Sequence, residues 1–401
     1  MPAGGYSPYV HESIARLGTW LPFEQVPAEL AWFTEVACGR ETARRVTEAA
    51  GAALVAAETA VVVDLEQHWP APEVPAALHQ VSVDGAMVPL VHQAWAEVKT
   101  LAIGAVVPGR GRDGAPTVHA QELSYFARLT DADTFRRLAW AETHRRGITL
   151  APQVVAVVDG AEWCQGFVDW HCPDAVRILD WAHAAEYVSA AARSVFGPGS
   201  PPLVAWLDQQ LHELRHGDPE RVLAALRALP AVTVAGPDGP TCPRDEALGY
   251  LTKRREQIAY ATFAAAGLPI GSGAVESANK LVMEARLKGS GMHWARANVN
   301  PMLALRSAAC SQRWRAAWAQ LRTEQRQAVA TRRQARAAAS RPADPPTPPP
   351  EPSAARPAGT ARHAVARLPL GRVRDGRPTA DHRWREPFLR RRAPAPIPAK
   401  D

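Results

Sequence analysis

Three acids stand out by their setting. Asp84 lies within "SVDGAM", Asp159 ends the apolar run "VVAVVDG", and Glu276 follows the glycine turn of "PIGSGAVES". The first two are each followed by glycine, Gly85 and Gly160. Glycine permits a sharp exit from a strand and the close approach of another backbone or a phosphate. An acid at the tip of a buried strand faces the crevice where such sheets usually carry ligands. Carboxylates on two neighbouring strands and a helix could hold two Mg²⁺ ions about 3.5–4 Å apart. Such a pair activates a water or a 3′-hydroxyl and stabilises the leaving oxygen in phosphodiester cleavage. The chain has 40 acids, and Asp-Gly is a common turn dipeptide, so on spacing alone an ordinary turn role competes with this one.

The elements that must position these acids can be read from periodicity. Ser13 to about Val62 is helical, with Pro22, Pro27 and Pro72 as punctuation. Within it, "VACGRETARRVTEAAG" (Val36 to Gly51) reads as a turn and an amphipathic helix with Arg40, Arg44 and Arg45 near its start. A helix-turn-helix places such a helix in the DNA major groove; a small bundle with a solvated Arg face is the plain alternative. From Leu78 the pattern alternates. Leu78–Val91, Trp95–Val107 and Pro116–Leu129 read as an antiparallel meander, punctuated by Pro-Gly and Gly-Arg-Asp-Gly. Asp131–Arg146 is a helix with Asp131 or Asp133 as cap and Gly147 as stop. Pro152–Gly160 is apolar enough for a strand buried on both faces. After a short link, Ala175–Asp180 is a further strand. Ala182–Leu229 is helical, broken near Gly197–Pro202 and Gly217–Pro219. Asp245–Ala266, Ala274–Lys288 and Asn298–Leu321 follow as helices. Three antiparallel strands, a helix and two further strands is the element order of an RNase H-like fold. The expected class is mixed α/β.

Composition bounds the partners. The net charge of +6 hides an asymmetry. Residues 322–401 hold 18 basic and 7 acidic residues, net +11; residues 1–321 hold 28 basic and 33 acidic, net −5. The same 80 residues carry 14 of the 36 prolines. An apolar content of 47% fits a globular body and excludes wholesale disorder. No apolar run reaches the ~18 uncharged residues of a membrane span, Gly51–Val63 being cut by Glu58. No basic segment followed by an apolar one marks a signal peptide. Five scattered cysteines without a C-x-x-C disfavour a disulfide scaffold or a structural zinc site and suit a reducing cytosol.

"VSVDGAMVPLV", "AEVKTLAIG", "VVDGAEWCQGF", "RILDWAHAAEYV" and "PIGSGAVESANKLVMEARLKGSGMHW" resemble transposases of ISKra-type bacterial insertion sequences, within the Mutator-like group of DDE transposases. The resemblance runs from about Tyr6 to Trp318, with a shorter match at "GRPTADHRW" (Gly376–Trp384). It implies an RNase H-like catalytic core with an all-helical insertion before the last acid, and cutting and joining of DNA with two Mg²⁺ (or Mn²⁺) ions. It places the catalytic and metal-binding acids on Asp84, Asp159 and Glu276, at spacings of 75 and 117 residues. The group's D-x-x-H element falls on Asp180 and His183. A rival assignment puts Asp180 in place of Asp84; Asp84 is preferred, because Asp180 is accounted for by that element and lies on an outer strand.

The implied organisation is a helical N-terminal region (1–76), a core in two parts (77–196 and 267–321), a helical insertion (197–266) and a basic tail (322–401), largely disordered. The implied partners are terminal inverted repeats, target DNA and a second copy of the chain, in the bacterial cytoplasm and on the nucleoid when bound, with no membrane role. His183 is an accessory candidate for the scissile phosphate, against a core hydrogen bond. Trp181 is a candidate base-stacking residue, against a core role. Lys280, Arg286, Lys288, His293 and Arg296 are candidate phosphate contacts, against a solvated basic face. The tail suits salt-sensitive phosphate contacts or mere solubility. Two departures stand: relatives often have additional sequence before the helical segment, and they tend to read His-Pro-Trp where this chain has His382-Arg383-Trp384.

Overall fold

A computed structural model describes residues 5–339, except 69, 73, 112, 113, 115, 237 and 238, and beyond these only 373–374 and 377–378. Residues 1–338 form one compact unit and 339–401 another. In the second unit the described residues are a two-by-two pairing of Val373–Arg374 with Arg377–Pro378. Most of the "GRPTADHRW" match, and the expected tail disorder beyond Ala339, fall outside the described residues.

The first unit opens with α1 (Pro8–Trp20), α2 (Val26–Thr34) and α3 (Arg40–Gln67). Ser7 caps α1 by accepting from Val10 N, and Pro8 sits where a missing N–H costs nothing. Arg44 is held by Glu41 and Glu48, so the Arg face at the start of α3 is largely ion-paired. α3 is the one described helix long and apolar enough to cross a membrane. Here its Leu54 and Ala57 bury against Ala304, Leu305 and Ala308 of a later helix. Gly51 makes that crossing close: a Cβ there would meet the Pro301 carbonyl oxygen at 2.3 Å.

The sheet follows. β1 (Leu78–Pro89), β2 (Trp95–Arg110) and β3 (Pro116–Arg128) form the expected antiparallel meander. α4 (Ala132–Arg145) is capped by Asp131, whose carboxylate accepts from Thr134 N at 2.8 Å, and stops at Gly147 with φ 65°. β4 (Gln153–Val158) and β5 (Val176–Leu179) lie parallel to β1, giving the order β3-β2-β1-β4-β5. The link between them is a helix, α5 (Glu162–His171), not a short connection. Parallel neighbours require a crossover, and Cys164, Phe167, Val168 and His171 supply the buried stripe at helical spacing.

α6 (Trp181–Phe196), α7 (Pro201–His216) and α8 (Pro219–Ala228) come next, then a small hairpin, β6 (Val234–Gly236) with β7 (Gly239–Thr241). α9 (Pro243–Lys253) and α10 (Tyr260–Ala265) replace one expected helix, parted by a 3-10 turn at Arg255–Gln257. α11 (Gly273–Ala278) runs into a π-helical turn, Asn279–Glu284, and α12 (Ala285–Leu287). α13 (Arg296–Cys310) and α14 (Trp314–Ala339) replace another single expectation; Gln312, at φ 59°, breaks them apart. α14 carries the fold past residue 321, so the first residues assigned to the tail are helical.

One sheet face packs α4 and α5 through Val81, Val83, Ala156, Val158, Phe135 and Phe167. On the other face, Val155, Val157 and Ile178 meet α6 to α10, and Ala102, Tyr125 and Ala127 meet α11 to α13. The result is a mixed α/β layering with helices on both sides of a five-stranded sheet.

Candidate active site

β1 and β4 pair in parallel from Leu78↔Gln153 to Val81↔Ala156, an offset of 75 residues. Asp84 and Asp159 are separated by the same 75 residues. Continued three residues past the last pair, that register sets Asp84, in the middle of β1, level with Asp159, just beyond the end of β4. Strand alternation sends Val81 and Val83 to the α4–α5 core, and Gln80, Ser82 and Asp84 to the opposite face. That face carries a polar column. Gln80 Nε2 donates to Ser82 Oγ at 3.1 Å and to Gly271 O at 3.2 Å. Gln80 and Ser82 are buried, so this column fastens β1 to the turn preceding α11.

Asp180 completes that turn. It caps α6, with Oδ1 accepting from His183 N at 2.9 Å, and its Oδ2 accepts from Ser272 N. Trp181 N donates to Ile270 O at 3.0 Å. One buried carboxylate thus aligns the start of the His183 helix with the start of the Glu276 helix. Both of its oxygens are used by backbone N–H groups, which makes it a positioning residue.

Glu276 is exposed near the start of α11. One turn later Asn279 Nδ2 donates to Asp84 Oδ2 at 2.7 Å, while Gly85 N donates to Oδ1 at 2.7 Å. Burial raises the Asp84 pKa above the usual carboxylate range; the Asp159 and Glu276 charges add to the rise, against the Gly85 N–H and His183. Asp159 and Glu276 are therefore each within electrostatic reach of Asp84. Asp159 accepts from Ala161 N at 3.1 Å. π-turns recur at functional sites, and this one begins at Asn279.

The helical insertion reaches the same place. Gly160 N donates to Tyr250 Oη at 2.7 Å, and Arg254 donates to Gly160 O. Both polar groups of the residue after Asp159 are held by α9. A Cβ at Gly160 would lie 2.2 Å from Arg254 Nε and from Tyr250 Oη, so any side chain there would push this pair off the peptide. Behind the acids Cys164 is fully buried, and burial and the nearby Asp159 carboxylate push its thiol pKa up, which excludes a thiolate nucleophile.

The other expected residues divide. Lys280, His293 and Arg296 are exposed. Lys288 pairs with Glu284 at 2.8 Å. His183 is partly exposed, 3.7 Å from Glu186 and edge-on to Tyr187 and Tyr250. Two expectations are corrected. Arg286 is 2% exposed, donates to Gly18 O and stacks on Phe23 and Trp294, so it ties α1 to the core and cannot reach a phosphate. Trp181 is half-buried and packs against the insertion core, with Arg215 over its ring, which favours a structural role. Asn279, Tyr250, Arg254 and the Gln80–Ser82 column were not singled out from sequence. Asn279 was findable, standing three residues after Glu276 on the same helical face.

The donor set can be tested against a divalent cation. Among the described residues no three carboxylate, imidazole or thiol side chains stand close enough to hold one ion as placed. The available donors are all oxygen, as Mg²⁺ requires: Asp84, Asp159, Glu276 and the buried Asn279 Oδ1, which has no hydrogen-bond partner. A buried orphan acceptor beside the Asp84 carboxylate is a donor that a hard cation could use. Compared with known proteins, the chain matches no family model and resembles no curated protein.

Proposed function

We propose that the chain is a DNA transposase of the ISKra type, built on an RNase H-like core, that cuts and joins the ends of its own insertion sequence. The observation that carries this reading is the shared 75-residue offset, which brings Asp84 level with Asp159 opposite the Glu276 helix. The strand order β3-β2-β1-β4-β5, with three antiparallel strands and two parallel ones, supports the RNase H-like assignment. The helical block between α6 and α11 supports the inserted all-helical region.

Asp84, Asp159 and Glu276 would hold two Mg²⁺ (or Mn²⁺) ions, with Asn279 fixing the Asp84 carboxylate. Bound there, the ions would supply the activated water or 3′-hydroxyl and the charge neutralisation at the leaving oxygen. Asp180 holds the Glu276 and His183 helices in register. Lys280, His293 and Arg296 stand exposed to receive phosphates of the terminal repeats and target. Two DNA ends require at least two copies of the chain.

The test is Mg²⁺-dependent nicking and strand transfer on terminal-repeat DNA, with wild type and Asp159→Asn. Nicked and joined products are expected from wild type, and a loss of several orders of magnitude in the variant. Cleavage without joining identifies a nuclease of the same fold. DNA binding without nicking identifies a non-catalytic copy. Nicking retained in Asp159→Asn removes the triad.

A further inference from the structure

Three π-groups form a column beside Asp159. The Arg254 guanidinium lies 3.9 Å from the centre of the Tyr250 ring. Tyr250 stacks on Tyr187 with centroids 4.0 Å apart and planes within 13°. The column is anchored at its base, since Arg254 is buried and donates to Gly160 O, and Tyr250 Oη accepts from Gly160 N. Its position relative to the acid is thus set through one peptide. At the other end Tyr187 is half-buried, its ring packed in part against the insertion core and in part open to solvent. Among the described residues no further ring or guanidinium covers its outer face; His183 approaches it edge-on at 5.7 Å. Burial raises the pKa of both phenols, and the Asp159 carboxylate adds to the rise.

We propose that Tyr187, as the open end of the Arg254–Tyr250–Tyr187 column, is a stacking platform for one unpaired nucleobase next to the cleaved phosphodiester. Every base has a π-face, so the platform tolerates any sequence. The column is ordered before DNA arrives, so little side-chain freedom is lost on binding. Trp181 is less suited, because Arg215 lies over its ring and it packs against the insertion core. The inference rests on the DNA-cutting reading above.

The test measures affinity in Ca²⁺ for two forms of terminal-repeat DNA: one fully paired, one with two unpaired nucleotides beside the cut. Wild type, Tyr187→Ala and Tyr187→Trp are compared, with Mg²⁺-dependent nicking by wild type run alongside. Tyr187→Ala is expected to lose about tenfold or more on the unpaired substrate and nothing on the paired one, with Tyr187→Trp near wild type. The paired substrate also reports whether a variant has folded. Equal losses on both substrates, or none, overturn the platform while nicking by wild type leaves the DNA-cutting reading standing. Wild type that neither nicks nor binds overturns both.

Discussion

Asp84 sits at a cost. Its carboxylate is half-buried near two other acids, and its pKa is raised first by burial and then by those charges. For an acid whose folded pKa exceeds its unfolded value, the folded state binds more protons in the interval between them. The penalty is therefore fully present above the folded pKa and vanishes below the unfolded value of about 3.9. Asp84→Asn should raise the melting temperature at pH 7, with the gain shrinking as pH falls toward about 4. Mg²⁺ should raise the melting temperature of wild type and lose that effect in the variant, since a ligand that binds only the folded state stabilises it. Thermal unfolding across pH, with and without Mg²⁺, reads both. A variant no more stable than wild type at pH 7 contradicts the first expectation, and an unchanged Mg²⁺ response contradicts the second.

Among the elements, contacts between helices decide stability. α5 is tied to α4 by His171, whose Nε2 donates to Arg136 O at 3.0 Å and whose Nδ1 lies 3.0 Å from the Thr143 hydroxyl. Burial lowers the His171 pKa to about 3 from an ordinary 6.5. Between those values the unfolded chain is protonated and the folded chain is not. Stability should fall as pH drops through that window, by up to about 1.4 kcal/mol per unit for this one group. Denaturant titrations from pH 7 to 4 should show a shallower fall in His171→Asn, from a lower starting stability. The α3–α13 crossing gives a second test. A Cβ at Gly51 would meet the Pro301 backbone at 2.3–2.8 Å, which no rotamer change relieves. Gly51→Ala should destabilise by about 1–3 kcal/mol, although alanine is the better helix former. Stabilisation, measured by denaturant titration, would show that the helices part without cost.

Over the whole molecule, charge is divided along the chain. Residues 340–401 carry 13 basic and 6 acidic residues, while the acidic body holds the three carboxylates. An acidic site repels phosphates unless cations intervene. Truncation after Ala339 should weaken non-specific DNA binding and flatten its dependence on salt, because fewer counterions are released. The plot of log affinity against log salt concentration checks this, and an unchanged slope would place the DNA contacts in the body.

The elements that hold the acids were legible because they rest on local pattern. Alternation marked β1, β2 and β3, the apolar run marked β4, and the Asp131 cap and Gly147 stop marked α4. The resemblance carried the acids themselves. Less legible was whatever depends on residues far apart in the chain. α5 looked like a short link until the parallel pairing of β4 and β5 required a crossover. Arg286 looked like a phosphate contact until α1 buried it, and Tyr250 and Arg254 meant nothing before α9 met Gly160.

Local backbone preference and side-chain periodicity are properties of neighbouring residues, so the sequence by itself determined the five strands of the main sheet, most of the helices and the charge division, but not the β6–β7 hairpin. Register and packing set which distant side chains meet. Only the tertiary structure decided that Asp84 stands level with Asp159, that Asp180 aligns two helices, and that Tyr187 ends a stacked column at the site.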